Sequence, residues 1–560
     1  MTIIKNTNFC RGWSHLLLAI ALNVICFSRT QGNELSVQTT RQIPTAVGKN
    51  TYHRIQSNEH WKLAETALII CDVWDSHHCV NAVRRVQELA PRIDSLAKVL
   101  RGNGATIIHA PSDCMKFYAG HPGRIRAQSV KAAANLPTDI AQWCDRIPSE
   151  ESIAYPIDQS DGGEDDDPVE HRQWAEKLTS EGRNPKLPWR QQIPNISIDS
   201  NQDFISDSGN EIWNILESKG IRQILICGVH TNMCVLGRPF GLRQLSSHGK
   251  NAVLIRDLTD TMYNPLSWPY VNHFSGTDLI IDHVERHVSP TIASDQLFRS
   301  FKSPLDPSLL TPFKFSKDRR PHLAILIAED EYQTAATLPL FSSTYLLPQL
   351  RISIIHGDPK DQGSIPGIEA IDDADALLVS VLRRPLRPDD LKRVRKFVYS
   401  GRPVIGIRTA SHAFCLRNAK PADGLDQWPE FDAYAFGGNY TNHYGNELHP
   451  IVRSVRSDTA HFKSQGSLYQ VSPLKPGTHV LMNGQIEGRP EEPVAWTHVR
   501  ADGGSSFYTS LGHPNDFSET AFQELLANAV MNACGLDSLR AEQILDQQKR
   551  YAAGKGRQRK

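Results

Sequence analysis

Short apolar runs that stop at a carboxylate recur along this chain, and they constrain its fold more than any other feature. Thr66–Cys71 (TALIIC) closes on Asp72, Ala252–Arg256 on Asp257, and His322–Ala328 on Glu329, Asp330 and Glu331. Runs this short, aliphatic and bounded by polar residues read as strands buried on both faces. After the first of them come Val83, Val86, Leu89, Ile93, Leu96 and Val99, spaced by three and four as on one face of an amphipathic helix. Gly102 and Gly104 stop that helix, and Ala105–His109 is the next strand. Strand, helix and strand make a βαβ unit, which predicts a parallel sheet with a right-handed crossover. Ile352–Ile355, Ala376–Ser380 and Pro403–Ile407 repeat the pattern, with a helix over Asp389–Tyr399. The fold class is therefore α/β: two three-layer α/β/α domains in series, each with a mainly parallel sheet.

At 560 residues the chain exceeds one ordinary core, which favours this division. Residues 1–32 read as an export signal, with Lys5 and Arg11, an apolar core Leu16–Phe27, and small residues near Ser28 and Gly32. A periplasmic or secreted protein is expected, with a membrane-anchored one as the alternative. The first domain is placed at 61–297 and the second at 321–537. Between them, 298–320 turns to Ser, Pro, Lys and Arg and reads as a linker. The tail 538–560 is polar and basic and is expected to fray. Formal net charge is zero, so nothing points to nucleic acid as a partner. The partner expected is a small-molecule substrate, and a homo-oligomer is compatible with the sequence. Of ten cysteines, two lie in the signal; the other eight show no paired short spacing, hence no zinc signature and no dense disulfide framework.

Among those eight, Cys234 stands out. Gln223–Val229 reads as a buried strand in which Gly228 allows a sharp change of direction. His230-Thr231-Asn232-Met233-Cys234 then leads into a helix carrying Leu236, Phe240, Leu242 and Leu245. A cysteine where strand hands over to helix lies among unpaired backbone N–H groups, which favour a thiolate and can hold an oxyanion. The competing reading is an inert core cysteine. The acidic stretch Asp158–Glu170 reads as a solvated loop, with a calcium loop as the sharper alternative.

Three features carry a family resemblance over Thr66 to about Ile292. Asp72 ends the first strand, Gly228-Val229-His230-Thr231-Asn232-Met233-Cys234-Val235 forms the turn, and the strand Ala252–Asp257 leads into Asp260. Together they resemble the isochorismatase-like cysteine hydrolases, which include nicotinamidases and related amidases. The resemblance implies that Cys234 is the nucleophile and Asp72 the proton relay. It also implies a cis bond between Val229 and His230, with the oxyanion held at the turn of Val229, His230 and Met233. The reaction implied is hydrolysis of an amide or ester. That family has a lysine before the helix that precedes the nucleophile strand. Here Asn195–Phe204 holds none, and no lysine lies between Lys186 and Lys219. Trp74, His77 and His109 are candidate pocket residues. Asp75, His77, His78 and His109 are weak candidates for a zinc-like divalent metal, and no cofactor is certain.

The second half, His322 to Leu536, resembles the trehalose-utilisation ThuA-like domains, which have a flavodoxin or class I glutamine amidotransferase-like fold. The carriers are Gly406-Ile-Arg408-Thr-Ala-Ser411-His412, Gly437-Gly438-Asn439-Tyr440 with His443-Tyr444-Gly445, Pro493–Trp496, and Gly503–His513. A glutaminase needs cysteine after Ile407, and this chain has Arg408-Thr409-Ala410 there. Arg408, His412, Tyr440, His443 and His513 are expected to line a polar pocket at the strand ends, where such sheets bind ligands. Aromatic Tyr440, Tyr444 and Trp496 would suit a carbohydrate. The sequence supports an exported cysteine hydrolase with an accessory ligand-binding domain. The alternative is a binding or scaffold protein that has lost catalysis along with the lysine.

Overall fold

A computed structural model describes residues 34–301, 315, 318–438, 442–455 and 457–557. The segment 1–32 and Tyr440 lie outside the described residues. The protein is mixed α/β, with two large, mostly parallel sheets and helices alternating with strands. The first sheet contains β1 (Glu34–Pro44), β2 (Tyr52–Lys62), β3 (Thr66–Cys71), β4 (Thr106–Ala110), β5 (Phe204–Ile205), β6 (Gln223–Val229), β7 (Asn251–Asp260) and β8 (Thr291–Ile292). Their order is β2-β1-β8-β7-β6-β3-β4-β5. From β8 to β5 every pairing is parallel. The antiparallel hairpin β1–β2 is added at the edge. This hairpin precedes the start at 61 read from the sequence, because its strands are mostly polar. In β1 the buried apolar residues are few, Leu35 and Val37, and the other buried positions are Thr39, Thr40 and Gln42 beside exposed Ile43.

The second sheet takes β9 (His322–Ala328), β10 (Arg351–His356), β11 (Ala376–Val381) and β12 (Val404–Ile407). Beyond a two-stranded ribbon of β13 (Asn442–His443) and β16 (Tyr469–Gln470), it continues with β14 (Ile451–Ser454), β15 (Ser457–Lys463), β17 (Thr478–Gln485), β18 (Glu492–Val499) and β19 (Ser505–Thr509). The half β10-β9-β11-β12-β19 is parallel, and β18-β17-β14-β15 continues as an antiparallel meander.

Two further expectations are corrected. The tail is not frayed over most of its length: Ala541–Arg557 is a helix, anchored by fully buried Ile544 and by Gln548 donating to Gln523. The acidic stretch is not a solvated loop either. Asp165 pairs with the buried Arg85, Asp166 accepts from the Val80 amide at the start of the helix Val80–Gly102, and Asp167 caps the helix Pro168–Ser180. Among the described residues no helix is long and apolar enough to cross a membrane, and the cysteines are free.

Candidate active site

Parallel register brings the site together. Cys71 on β3 lies opposite Gly228 on β6, so Asp72 emerges beside the turn that carries Cys234. Gly228 is required there: its φ is +114°, and an added Cβ would lie 1.9 Å from the Cys71 carbonyl oxygen. Asp72 itself has φ 49°, a left-handed conformation that a non-glycine residue keeps only when its surroundings impose it. The peptide bond between Val229 and His230 is cis. Thr231 is fixed by its hydroxyl on Thr259, and Asn232 clamps the Met262 backbone with both ends of its amide.

Asp72 is fully buried and its oxygens are separately engaged. One accepts the Ser112 amide at 2.7 Å, and the other accepts Nε of Arg238 at 2.9 Å. Cys234 lies beside Asp72, close enough for each to shift the other's ionisation. Arg238 follows Cys234 by four residues, and its amide donates to the Cys234 carbonyl at 3.0 Å, a single turn that brings the two onto one side. It supplies a cation that the sequence reading sought upstream. The upstream Arg190 guanidinium bonds the Gly182 carbonyl. The spacing Cys234/Arg238 was the signal available in the sequence.

The electrostatics correct the expectation of a resting thiolate. Burial and the neighbouring Asp72 carboxylate push the Cys234 thiol up, while Arg238 and the His230 backbone N–H pull the other way without overcoming them. Burial also raises Asp72, against the opposing effects of Arg238 and Ser112. The thiol is therefore protonated at rest, with the Asp72 carboxyl beside it as the available proton acceptor.

Cys234 opens on a cavity of about 1220 Å³. One wall is a stack of flat rings, Trp189 on Trp74 at 4.4 Å and His77 on Trp189 at 5.8 Å. Trp143 lies under the Arg238 guanidinium. His230, a further wall residue, is 2% exposed; its Nε2 has no hydrogen-bond partner, and burial lowers its pKa to about 3, so the ring is neutral. Trp143 and Trp189 were not singled out from the sequence.

His109 is not in this pocket. It is fully buried behind the sheet end, with Nδ1 on Gln192 at 2.9 Å and Nε2 on Asp203 at 3.1 Å. The Met233 amide, expected at an oxyanion, donates to the His230 carbonyl at 3.0 Å. The metal candidates do not fit a metal: Asp75 accepts from Arg183, Arg190 and Gln191, His77 Nδ1 accepts from the Cys79 amide, and His78 faces Glu164. Among the described residues no group of three or more His, Cys, Asp or Glu side chains is placed to hold an ion.

In the second sheet Arg408 follows β12, with φ 42°. Its guanidinium lies between the rings of Tyr332 and Tyr469, at 4.2 and 4.8 Å, and donates to the Ser510 carbonyl and the Ser467 hydroxyl. His412 and His513 stand near enough for its charge to help lower their pKa values, after the larger effect of burial. His443 stands apart on the β13–β16 ribbon, its Nδ1 on the Tyr444 carbonyl. Trp496 is a core residue, 1% exposed, with Nε1 on the Phe436 carbonyl, and offers no face to a ligand.

Residues 369–533 match the family model described as ThuA: Trehalose utilisation. Three solved structures are similar to parts of the chain. A cysteine hydrolase from Pseudomonas syringae pv. phaseolicola 1448A is 12% identical, covering 43% of this chain and 95% of its own, with TM-score 0.26. An isochorismatase family protein from Burkholderia thailandensis is 12% identical, covering 43% and 96%, with TM-score 0.23. A putative thua-like protein from Parabacteroides merdae ATCC 43184 is 14% identical, covering 40% and 93%, with TM-score 0.28. No curated protein sequence matches the chain.

Proposed function

We propose that the first unit is a cysteine hydrolase of small amides or esters, with Cys234 as nucleophile, Asp72 as proton relay and Arg238 in place of the family lysine. The observation that carries this reading is the 2.9 Å ion pair of Asp72 and Arg238 set beside Cys234, which opens on a large cavity. Asp72 takes the thiol proton as the sulfur attacks the carbonyl carbon, and backbone N–H groups at the turn hold the oxyanion. Protonated Asp72 then gives its proton to the departing amine or alkoxide, leaving a thioester on Cys234. Water, deprotonated by Asp72, attacks the thioester; the acid leaves and the thiol is restored. Arg238 keeps Asp72 ionised between steps, against the cost of burying a carboxylate.

For the second unit we propose binding of a small polar ligand, a carbohydrate in the first instance, near Arg408, His412 and His513, without glutamine hydrolysis. Support comes from Arg408-Thr409-Ala410 in place of a nucleophile; Cys415 lies further along, and burial raises its thiol pKa. Export rests on Lys5, Arg11 and Leu16–Phe27. The upward shift of the Cys234 thiol favours a second reading, a non-catalytic binding protein.

One experiment separates the two readings. The whole protein is incubated with a panel of p-nitrophenyl esters and small aryl amides, and the Cys234 peptide is mapped by mass spectrometry. An acyl adduct on Cys234, with turnover abolished in Cys234→Ala, is the expected result. No adduct and no turnover across the panel would leave the binding reading.

A further inference from the structure

The cavity at Cys234 is not built by the first unit alone. Its wall includes Leu266, Ser267, Trp268 and Tyr270, from the loop after β7, and also Gly554, from the C-terminal helix Ala541–Arg557. That helix belongs to the second unit: Ile544 is buried in the core of the second sheet beside Leu526 and Val530, and Gln548 bonds Gln523. Its far end crosses to the first unit. The Tyr551 ring lies 4.7 Å from Trp268, and its hydroxyl bonds Ser343. Gly554 is buried against Trp268 so closely that an added Cβ would lie 2.3 Å from Cε3 of the indole. Between these contacts and the body of the helix runs a groove of about 360 Å³, flanked by Pro269, Tyr270, Glu542 and Arg550.

Trp268 is also connected inward. Its carbonyl accepts the Asp158 amide at 2.9 Å, and the next residue, Gln159, donates to the Asn232 carbonyl at 3.3 Å, two residues before Cys234. The residue whose indole is held from outside by Tyr551 and Gly554 is thus linked, through its backbone carbonyl and the segment Asp158–Gln159, to the nucleophile turn.

We propose that the C-terminal helix of the second unit is a specificity element of the Cys234 site: through Tyr551 and Gly554 it fixes Trp268 and sets how far a substrate can extend along that wall. This rests on Cys234 being the reacting group. The role it gives the second unit is to complete the hydrolase pocket, independently of any ligand the second unit binds.

The test uses the full chain, a chain ending at Lys549, which keeps Ile544, and the full chain carrying Gly554→Leu. Hydrogen exchange over 264–271 is compared in all three. Cys234 labelling by iodoacetamide and by fluorescein maleimide is followed by peptide mapping. The shortened chain should exchange that loop about tenfold faster, as local opening becomes cheaper. Maleimide labelling should gain about fivefold on iodoacetamide labelling, as the wall ceases to exclude the larger reagent. Gly554→Leu, which displaces the indole, should move both readouts the same way. If the shortened chain loses the melting transition of the second unit, Gly554→Leu decides. Unchanged exchange overturns the proposal, as does faster exchange with an unchanged labelling ratio. If Cys234 labels with neither reagent, turnover on the ester and amide panel decides the hydrolase reading, and the exchange result alone decides whether the helix holds the loop.

Discussion

Asp72 and Arg408 occupy the same kind of place in the two sheets and are put to opposite use. Each follows a parallel strand, each is a charged residue buried to within 2% of full enclosure, and each holds a positive φ. Around Asp72 the structure supplies an opposite charge, Arg238, and a group with a proton to give, Cys234. Around Arg408 it supplies neutral partners: two tyrosine faces, a serine carbonyl and a serine hydroxyl, with no carboxylate bonded to it among the described residues. Buried charge at a strand end is thus common to both sheets. What sets the Asp72 site apart is a partner whose protonation can change and a cavity that reaches it.

The sharpest way to break this comparison is to neutralise each member in turn. Asp72→Asn should lower turnover by about 10²–10⁴-fold, the usual range for removing a general acid–base, while Arg408→Met leaves it within about twofold. Turnover on whichever ester or amide the Cys234 experiment identifies is the measurement. Equal losses would show that the two units act as one catalytic device.

Next in size is the cation. Arg238→Ala leaves Asp72 buried without its ion pair, so the carboxyl should protonate and cease to accept the thiol proton. Turnover should fall about 10–100-fold, as expected for breaking one partly buried charge pair. Arg238→Lys should recover part of the loss, because a point charge restores the field without the guanidinium geometry. Absence of rescue with normal folding would assign Arg238 to packing against Trp143.

Much of this was legible in the sequence, for identifiable reasons. Strands buried on both faces leave uninterrupted aliphatic runs, so β3, β6, β9 and β11 announce themselves, and the strand-to-helix position of Cys234 follows from them. The hairpin β1–β2 has one polar face and reads as loop. The helix Ala541–Arg557 is polar enough to resemble a frayed tail, because it buries a narrow stripe against another helix. Arg238 escaped because a cation was sought at the family's position, whereas helical spacing from Cys234 placed it four residues downstream. His109 misled because the end of a strand can face either the pocket or the layer behind it, and sequence period does not say which.

A third measurement concerns stability. Arg408→Met removes a guanidinium that satisfies the Ser510 carbonyl and Ser467, so the second unit should lose about 1–3 kcal/mol, the cost of orphaned buried partners. Calorimetry of the whole protein should show the transition of the second unit falling and that of the first unchanged. A rise in its melting temperature would mean that burying the uncompensated cation costs more than its hydrogen bonds return.

The smallest effect expected is at acid pH, and it contrasts the two units again. Glu150 sits beneath the Cys234 cavity, where Arg243 and His283 bond its carboxylate and its pKa drops to about 2 despite burial. A carboxylate whose folded pKa lies below its ordinary value of 4.5 adds stability that is fully present above that value and is lost as pH falls from there toward 2. Discounted for screening, the contribution is about 1 kcal/mol. In the second unit, Asp432 is shifted the other way, to about 7, by burial. A raised carboxyl costs stability as pH rises through its ordinary value toward 7, so this residue favours the second unit under mild acid. Melting followed between pH 7 and pH 3 should therefore show the first unit losing stability below pH 4.5 while the second gains between pH 7 and pH 4. Glu150→Gln should flatten the first trend and Asp432→Asn the second. Parallel acid trends in the two units, unaffected by either substitution, would show that neither buried carboxyl governs its unit's response.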